Sequence, residues 1–342
     1  MRAPEQARAD AEDVPERAAA VPTAHTPQQR SPRGARRPRG PATGIERRRA
    51  RTGWLYTAPA LLVIALVTIF PVLYSVVMSF AKVRLTYGGM RVEEWTLGNY
   101  AVMGSSAAWL QALAFTVGYT LVTVAVELAL GVAVAILLDR LEAGRGWLLA
   151  LLLIPWSMIT VVSAQLWSYL YNASYGAATW FFEVLLGEPP VILGTPVPAF
   201  TALAVADVWK TTPFVAVIVL AGLVRIPQEH YEAAEMDGAG AWSTFRHVVL
   251  PALRPVLAVA VLFRVLQAFG IFDLPFVLTQ GGPGTATQSL AMLGYKTLFQ
   301  DLNFGLGAAV ATATGVLVML GCLLFLRMFR SQVDEAEEGG AA

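Results

Sequence analysis

Cysteine, histidine and charge are all scarce in this 342-residue sequence. A single cysteine, Cys322, excludes an intrachain disulfide and any multi-cysteine metal site. The three histidines, His25, His230 and His247, have no metal-ligand spacing, so no metal site is expected. Charged residues make up 14% of the chain, against about 25% in a soluble domain. That deficit excludes a soluble enzyme and a disordered regulator, because too little polar surface exists to cover the apolar remainder. No G-x-x-x-x-G-K-[ST] loop is present, so the chain should not hydrolyse ATP by itself. The run Gly281-Gly282-Pro283-Gly284 lacks a following lysine and reads as a tight turn. No nucleophile elbow or catalytic carboxylate pair appears, so no enzyme is expected. Alternating polar and apolar strand patterns are read as absent, which excludes a β-barrel. The net charge of +1 gives no partner signal.

What is abundant is apolar length. Hydrophobic residues are 56% of the chain and the mean hydropathy is +0.56. Six stretches, 54–80, 110–138, 147–171, 197–224, 256–278 and 304–328, each reach the roughly 20 residues that a membrane helix needs. The first is too long, and preceded by too long a tail, to be a cleaved signal peptide. Prolines lie inside several of them (Pro59, Pro71, Pro155, Pro213, Pro275) and predict kinks. The expectation is an all-α, multi-pass membrane protein with six transmembrane helices.

Orientation follows from the basic residues. With the N-terminus inside, the inner segments hold the N-terminal arginines, Arg140, Arg145, Arg225, Arg246, Arg254, Arg327 and Arg330. The outer segments hold only Lys82, Arg84, Arg91 and Lys296, and the loop 172–196 holds none. Both termini are therefore expected to be cytoplasmic. Residues 1–52 are rich in Arg, Ala and Pro and read as a disordered basic cytoplasmic tail. Its charge serves lipid contact and orientation, with no nucleic-acid partner expected. Residues 53–330 form the membrane domain, with an inner loop at 225–251, and residues 331–342 form an acidic tail. Asn172-Ala173-Ser174 matches a glycosylation sequon, a match too short to carry weight.

The loop 225–251 does not read as flexible. Pro227 suits a first helical position, Glu229, Glu232 and Glu235 favour the helix N-terminal half, and Gly238 supplies a left-handed stop. A second short helix follows, with Trp242, Phe245 and Val249 near one face, and Leu250-Pro251 is expected to break it before span five. Two readings stand on periodicity alone: a helix lying on headgroups, or a docking element. The acidic first turn disfavours the former, since anionic headgroups repel carboxylates.

Here the sequence becomes recognisable. Glu232-Ala233-Ala234, Gly238, Val248, Leu250 and Pro251 resemble the EAA signature of binding-protein-dependent ABC importer permeases, every spacing fitting and Val248 replacing Ile. Leu97-Gly98-Asn99-Tyr100, Ile154-Pro155-Trp156, Trp209-Lys210-Thr211-Thr212-Pro213-Phe214, Leu220-Ala221-Gly222-Leu223, Ile226-Pro227 and Thr279-Gln280-Gly281-Gly282-Pro283-Gly284 are similar, in that order, to the carbohydrate branch of the same family. The resemblance spans residues 54–330. It implies a type I ABC importer transmembrane-domain fold, with a cytoplasmic coupling helix between helices four and five, in a bacterial-type plasma membrane. It also implies partners: a second homologous permease, two ATPase subunits that hold ATP and magnesium, and an extracytoplasmic solute-binding protein. No cofactor is expected on this chain. By the same resemblance Glu232, Ala233, Ala234 and Gly238, with Leu250 and Pro251 behind them, form the ATPase-coupling element, Glu232 making polar contacts and the alanines permitting close approach.

Ionisable residues inside spans cost about 2.5–3.5 kcal/mol each on insertion scales and are the default candidates for a solute path. They are Glu127, Asp207, Lys210, Arg264 and Asp273. Either they face solute or they pair with one another, Asp207 with Lys210 three residues along one helix face and Glu127 with Arg264 across helices. Trp156, Trp167, Trp209 and Phe214 offer aromatic faces of the kind that sugars stack on. The solute is expected to be polar, a sugar by resemblance. An ion-gradient-driven secondary transporter is the rival reading, but it predicts inverted repeats and leaves the inner helix pair without a role.

Overall fold

The computed structural model describes residues 44–339 apart from residues 142 and 189, and it divides into two compact units, 1–61 and 62–342. In the first unit the described residues are helical and belong to α1, Gly44–Ile64. Most of the expected basic tail, residues 1–43, lies outside the described residues.

In the second unit, α2 (Phe70–Ser79) leads into a β-hairpin of β1 (Ala81–Thr86) and β2 (Gly89–Trp95), then α3 (Gly98–Ser105). The long α4 (Ala107–Asp139) precedes α5 (Arg145–Ser157), α6 (Thr160–Leu170), a short α7 (Ala177–Leu186) and α8 (Pro196–Leu223). The inner loop holds α9 (Gln228–Met236) and α10 (Ala241–Thr244). Then come α11 (Leu250–Phe269), α12 (Asp273–Leu278), α13 (Leu290–Tyr295) and α14 (Phe304–Gly339). Among the described residues, five helical segments are long and apolar enough to cross a membrane: 54–79, 107–139, 196–223, 241–278 and 304–327. The expected third span is no straight helix. It is the pair α5 and α6, bent by 89° at Met158 and Ile159, and it makes a sixth crossing only if the bent pair is one span.

The hairpin corrects the expectation that alternating patterns are absent. Lys82-Val83-Arg84-Leu85 and Met90-Arg91-Val92-Glu93 do alternate, and Ala81 to Thr86 pair antiparallel with Trp95 to Gly89 around a two-residue turn. Gly89 adopts φ +105°, and the Thr86 hydroxyl donates to its carbonyl at 2.9 Å. Two strands do not make a barrel, and among the described residues there are no others.

Two prolines expected to disturb helices are absorbed by wide turns. Residues 65–69 and 245–249 are π-helical, and Pro71 and Pro251 follow each by one residue. Phe70 and Leu250 bond five residues back, to Ala65 and Phe245. The widened turn takes up the clash that a proline ring makes with the carbonyl four residues back. Leu250-Pro251 thus continues the helix where a break was expected. At the far end, α14 runs on through residues 331–339 of the expected acidic tail.

The core is built on small residues along α4 and α8. On α4 the buried positions Ala112, Thr116, Tyr119, Thr123, Glu127, Gly131 and Ala135 recur every three or four residues and form one face. Gly131 is required there: a Cβ would stand 2.6 Å from Val215 Cγ1 on α8. Gly222 plays the same part against Leu253, where a Cβ would stand 2.8 Å from Cδ2. Such residues let backbones approach and pack by dispersion, which drives helix association where lipid is as apolar as leucine. One apolar cluster gathers Phe115, Tyr119, Leu203, Ala206 and Leu274; a second gathers Ala135, Leu138, Val215, Val219, Val249 and Leu253. Along α4 and α8 a band of charge lies between the two.

Candidate functional site

That band is built from three helices. α4 presents Glu127, α8 presents Asp207 and Thr211 one turn apart, and α11 presents Arg264 and Gln267. Glu127 and Arg264 are 0% and 2% exposed, and Asp207 is also buried. The Arg264 guanidinium forks onto Glu127, its Nε donating to Oε2 and its Nη2 to Oε1 at 2.8 Å. Nη2 also donates to Asp207 Oδ2 at 3.1 Å, and Nη1 to Gln267 Oε1 at 2.7 Å. The Thr211 hydroxyl lies between Glu127 Oε1, at 2.5 Å, and the Asp207 carbonyl, at 2.7 Å, and its one proton serves either. An unpaired ion in such a place would be prohibitive, and each here has hydrogen-bonded partners of opposite sign.

The cross-helix pairing of Glu127 with Arg264 is as expected; the pairing of Asp207 with Lys210 is not. Asp207 turns to Arg264, whereas Lys210 Nζ reaches the Trp156 carbonyl at 3.4 Å. A guanidinium offering five donors in a fixed fork outcompetes one flexible ammonium on the same helix.

Beside the cluster opens a cavity of about 310 Å³, lined among others by Trp156, Thr160, Asp207, Lys210, Arg264, Gln267 and Asp273. Five of the nine expected path residues (Trp156, Asp207, Lys210, Arg264 and Asp273) therefore meet in one place. Two helix interruptions frame it: the 89° bend after Trp156, and the break at residues 270–272, after which Asp273 opens α12. Phe214 supports the cavity from behind, stacked on Trp156 with ring centroids 5.6 Å apart and 13° between planes. Trp167 and Trp209 are not brought to it. They pack on each other edge to face at 5.6 Å, and the indole N–H of Trp167 is buried without a partner. Trp209 faces a separate apolar hollow beside Leu130, Leu148 and Pro155. Thr160, Thr211 and Gln267 were missed. Thr211 sits one turn after Asp207, within the 209–214 motif, and Gln267 one turn after Arg264, so spacing could have found both, whereas Thr160 had no such signal.

The inner element is a second candidate site. α9 ends at Met236, Asp237 caps it and Gly238 takes φ +73°. Gly238 N–H bonds to the Glu235 carbonyl at 3.0 Å and Ala239 N–H to the Ala234 carbonyl at 2.9 Å. This pair of bonds is a Schellman stop, which needs a left-handed residue at Gly238. A Cβ there would meet nothing within 4 Å, so the requirement is conformational, not spatial. Glu232 and Ala233 face outward, while Ala234 is buried and so turns away from the expected docking surface. Met236, 88% exposed, stands on the outer face one turn beyond Glu232 and Ala233 and was missed. Tyr231 faces inward among Leu223, Val249 and Leu253. Burial, and secondarily the Asp139 carboxylate, pushes its hydroxyl pKa upward, so it stays protonated. Leu250 and Pro251 lie at the head of α11, behind the exposed face.

Residues 101–334 match the family described as binding-protein-dependent transport system inner membrane component. The trehalose/maltose transport system permease protein MalF of Thermococcus litoralis is 38% identical over 85% of this chain and 97% of its own. The trehalose transport system permease protein SugA of Mycobacterium tuberculosis is 34% identical over 87% of this chain and 95% of its own. The sulfoquinovosyl glycerol transport system permease protein SmoG of Agrobacterium fabrum is 34% identical, over 81% and 90%. In fold, the chain is similar to a chain of a bacterial ABC transporter that imports the acidic polysaccharide alginate. The TM-score is 0.70 at 18% identity, covering 83% of this chain and 98% of that one. A second structure of a bacterial alginate ABC transporter, in complex with an alginate pentasaccharide-bound periplasmic protein, gives a TM-score of 0.71 at 18% identity, covering 83% and 96%.

Proposed function

We propose that this chain, which belongs to the binding-protein-dependent transport system inner membrane component family, carries a sugar across the membrane through the cavity beside Arg264. As a member it is a multi-pass membrane transport subunit of an ABC importer, not an enzyme. The observation that carries the solute reading is the convergence of Trp156, Asp207, Lys210, Arg264 and Asp273 on one cavity framed by two interrupted helices. Polar side chains, an aromatic face and helix interruptions are what a path for a hydroxyl-rich solute needs within an apolar bilayer. Relatives named for trehalose, maltose and sulfoquinovosyl glycerol support a glycoside as the cargo.

The partners proposed are a second homologous permease, two ATPase subunits carrying ATP and magnesium, and an extracytoplasmic solute-binding protein. Both termini face the cytoplasm, as the arginine asymmetry implies. Glu232, Ala233 and Met236 meet the ATPase, Gly238 fixes the turn, and Ala234, Leu250 and Pro251 hold the element to the membrane helices. ATP moves solute only if this docking differs in free energy between the outward- and inward-open states. The test is reconstitution with those partners in proteoliposomes and measurement of trehalose and maltose uptake. ATP-dependent uptake that requires the binding protein supports the proposal. Uptake by this chain alone, driven by an ion gradient, would establish the secondary-transporter reading instead.

A further inference from the structure

The 89° bend between α5 and α6 sets an accounting problem. The last carbonyls of α5 lose their helical partners, and backbone broken at membrane depth needs partners from the protein or from a water-filled cavity. The Ile154 carbonyl is met by the Ser157 hydroxyl at 2.9 Å, and the Pro155 carbonyl by the Met158 N–H at 3.3 Å. The Trp156 carbonyl is met from another helix, by Lys210 Nζ at 3.4 Å. A lysine at a helix C-terminus also sits at the negative end of the dipole. One turn further along α8, Phe214 stacks on the Trp156 ring, and Phe214 is itself held edge to face by Phe263 of α11 at 6.3 Å. Residues 210 and 214 thus grip one residue by its backbone and by its side chain. Trp156 and Thr160, which flank the bend, both line the cavity. A change of bend angle therefore changes the cavity's shape.

We infer that the bend is the movable wall of the solute cavity, and that Lys210 and Phe214 are positioning residues that latch it through Trp156. The inference rests on the proposed solute path for its meaning in transport, but the latch itself can be tested without solute. In the assembled importer, Cys322 is replaced by serine and Thr160 by cysteine, and the labelling rate with a water-soluble thiol reagent is followed. Lys210→Met should raise that rate about fivefold, the scale of one lost hydrogen bond of about 1 kcal/mol, and Phe214→Leu, which removes the stack on Trp156, should do likewise. Lys210→Arg, which keeps a cationic donor, should stay within about twofold of the parent. The double variant Lys210→Met/Phe214→Leu should exceed neither single variant by more than about twofold, because both remove one latch. An unchanged rate in Lys210→Met, equal effects of Met and Arg, or additive effects in the double variant would each overturn the latch. In uptake assays Lys210→Met should lower the maximal rate and leave the half-saturating concentration of loaded binding protein unchanged. A parent complex that takes up no sugar, yet shows this labelling pattern, would sink the solute reading and leave the latch standing.

Discussion

Replacing Arg264 with methionine should destabilise the protein far more than removing its whole charge cluster. The guanidinium makes two hydrogen bonds to Glu127, one to Asp207 and one to Gln267, and Glu127 is fully buried. Methionine fills comparable volume but leaves two carboxylates together in the interior without their shared cation, Glu127 keeping only the Thr211 hydroxyl and Asp207 the Tyr119 hydroxyl and the more distant Lys210. Breaking a buried pair in this way costs about 3–5 kcal/mol. That is about two to four decades in the folded-to-unfolded ratio. The triple variant Glu127→Gln/Asp207→Asn/Arg264→Met removes all three charges and should recover most of the loss, since neutral amides need no counter-ion. Unfolding in mixed micelles under increasing denaturing detergent, followed by tryptophan fluorescence, measures both. If Arg264→Met unfolds with the parent, or if the triple variant is no better than the single one, the cluster is not the paired brace described.

Three further outcomes follow from the geometry. Glu232→Lys should insert and fold normally but abolish solute-stimulated ATP hydrolysis by the assembled complex, as read in a phosphate-release assay. Met236→Asp should weaken co-purification of the ATPase, because a flexible thioether on the exposed face of α9 is replaced by a solvated charge. Gly238→Val places a β-branched residue at φ +73°. It should cost about 1–2 kcal/mol of local stability, visible as faster amide exchange across residues 234–239 with the membrane helices unaffected.

Much of the fold was legible because apolar length is a one-dimensional property. Five of the six stretches fall on helical segments long and apolar enough to cross a membrane and the sixth on the bent pair α5 and α6, and the Glu127–Arg264 pair followed from the cost of leaving either charge alone. The inner element was legible for a different reason: Pro227, the glutamates and Gly238 each act locally, through caps and dipole, without help from distant residues. What escaped depends on tertiary partners. Pro155 announced a kink, but the 89° bend falls at Met158 and Ile159, where Lys210 takes up a stranded carbonyl. Spacing along α8 put Lys210 with Asp207, and only the arrival of α11 with Arg264 reassigned it. The hairpin was legible but passed over: strands of six and seven residues are of ordinary length, and the alternation at 82–85 and 90–93 is the period-two pattern that marks a strand. Trp167 and Trp209 show the opposite failure: aromatic identity marked them for the path, and packing took them elsewhere.

The wide turn ahead of Pro251 has a mechanical consequence. The chain stays helical from Ala241 through the π-turn to Phe269, so helix joins Trp242 to Arg264, with Pro255 inside α11 on the way. At about 1.5 Å per residue, those 22 steps make a strut about 33 Å long. A nudge delivered at the Trp242 end would reach Arg264 through that strut, less what flexing the π-turn and Pro255 allow, and the guanidinium would hand it to α4 and α8 together.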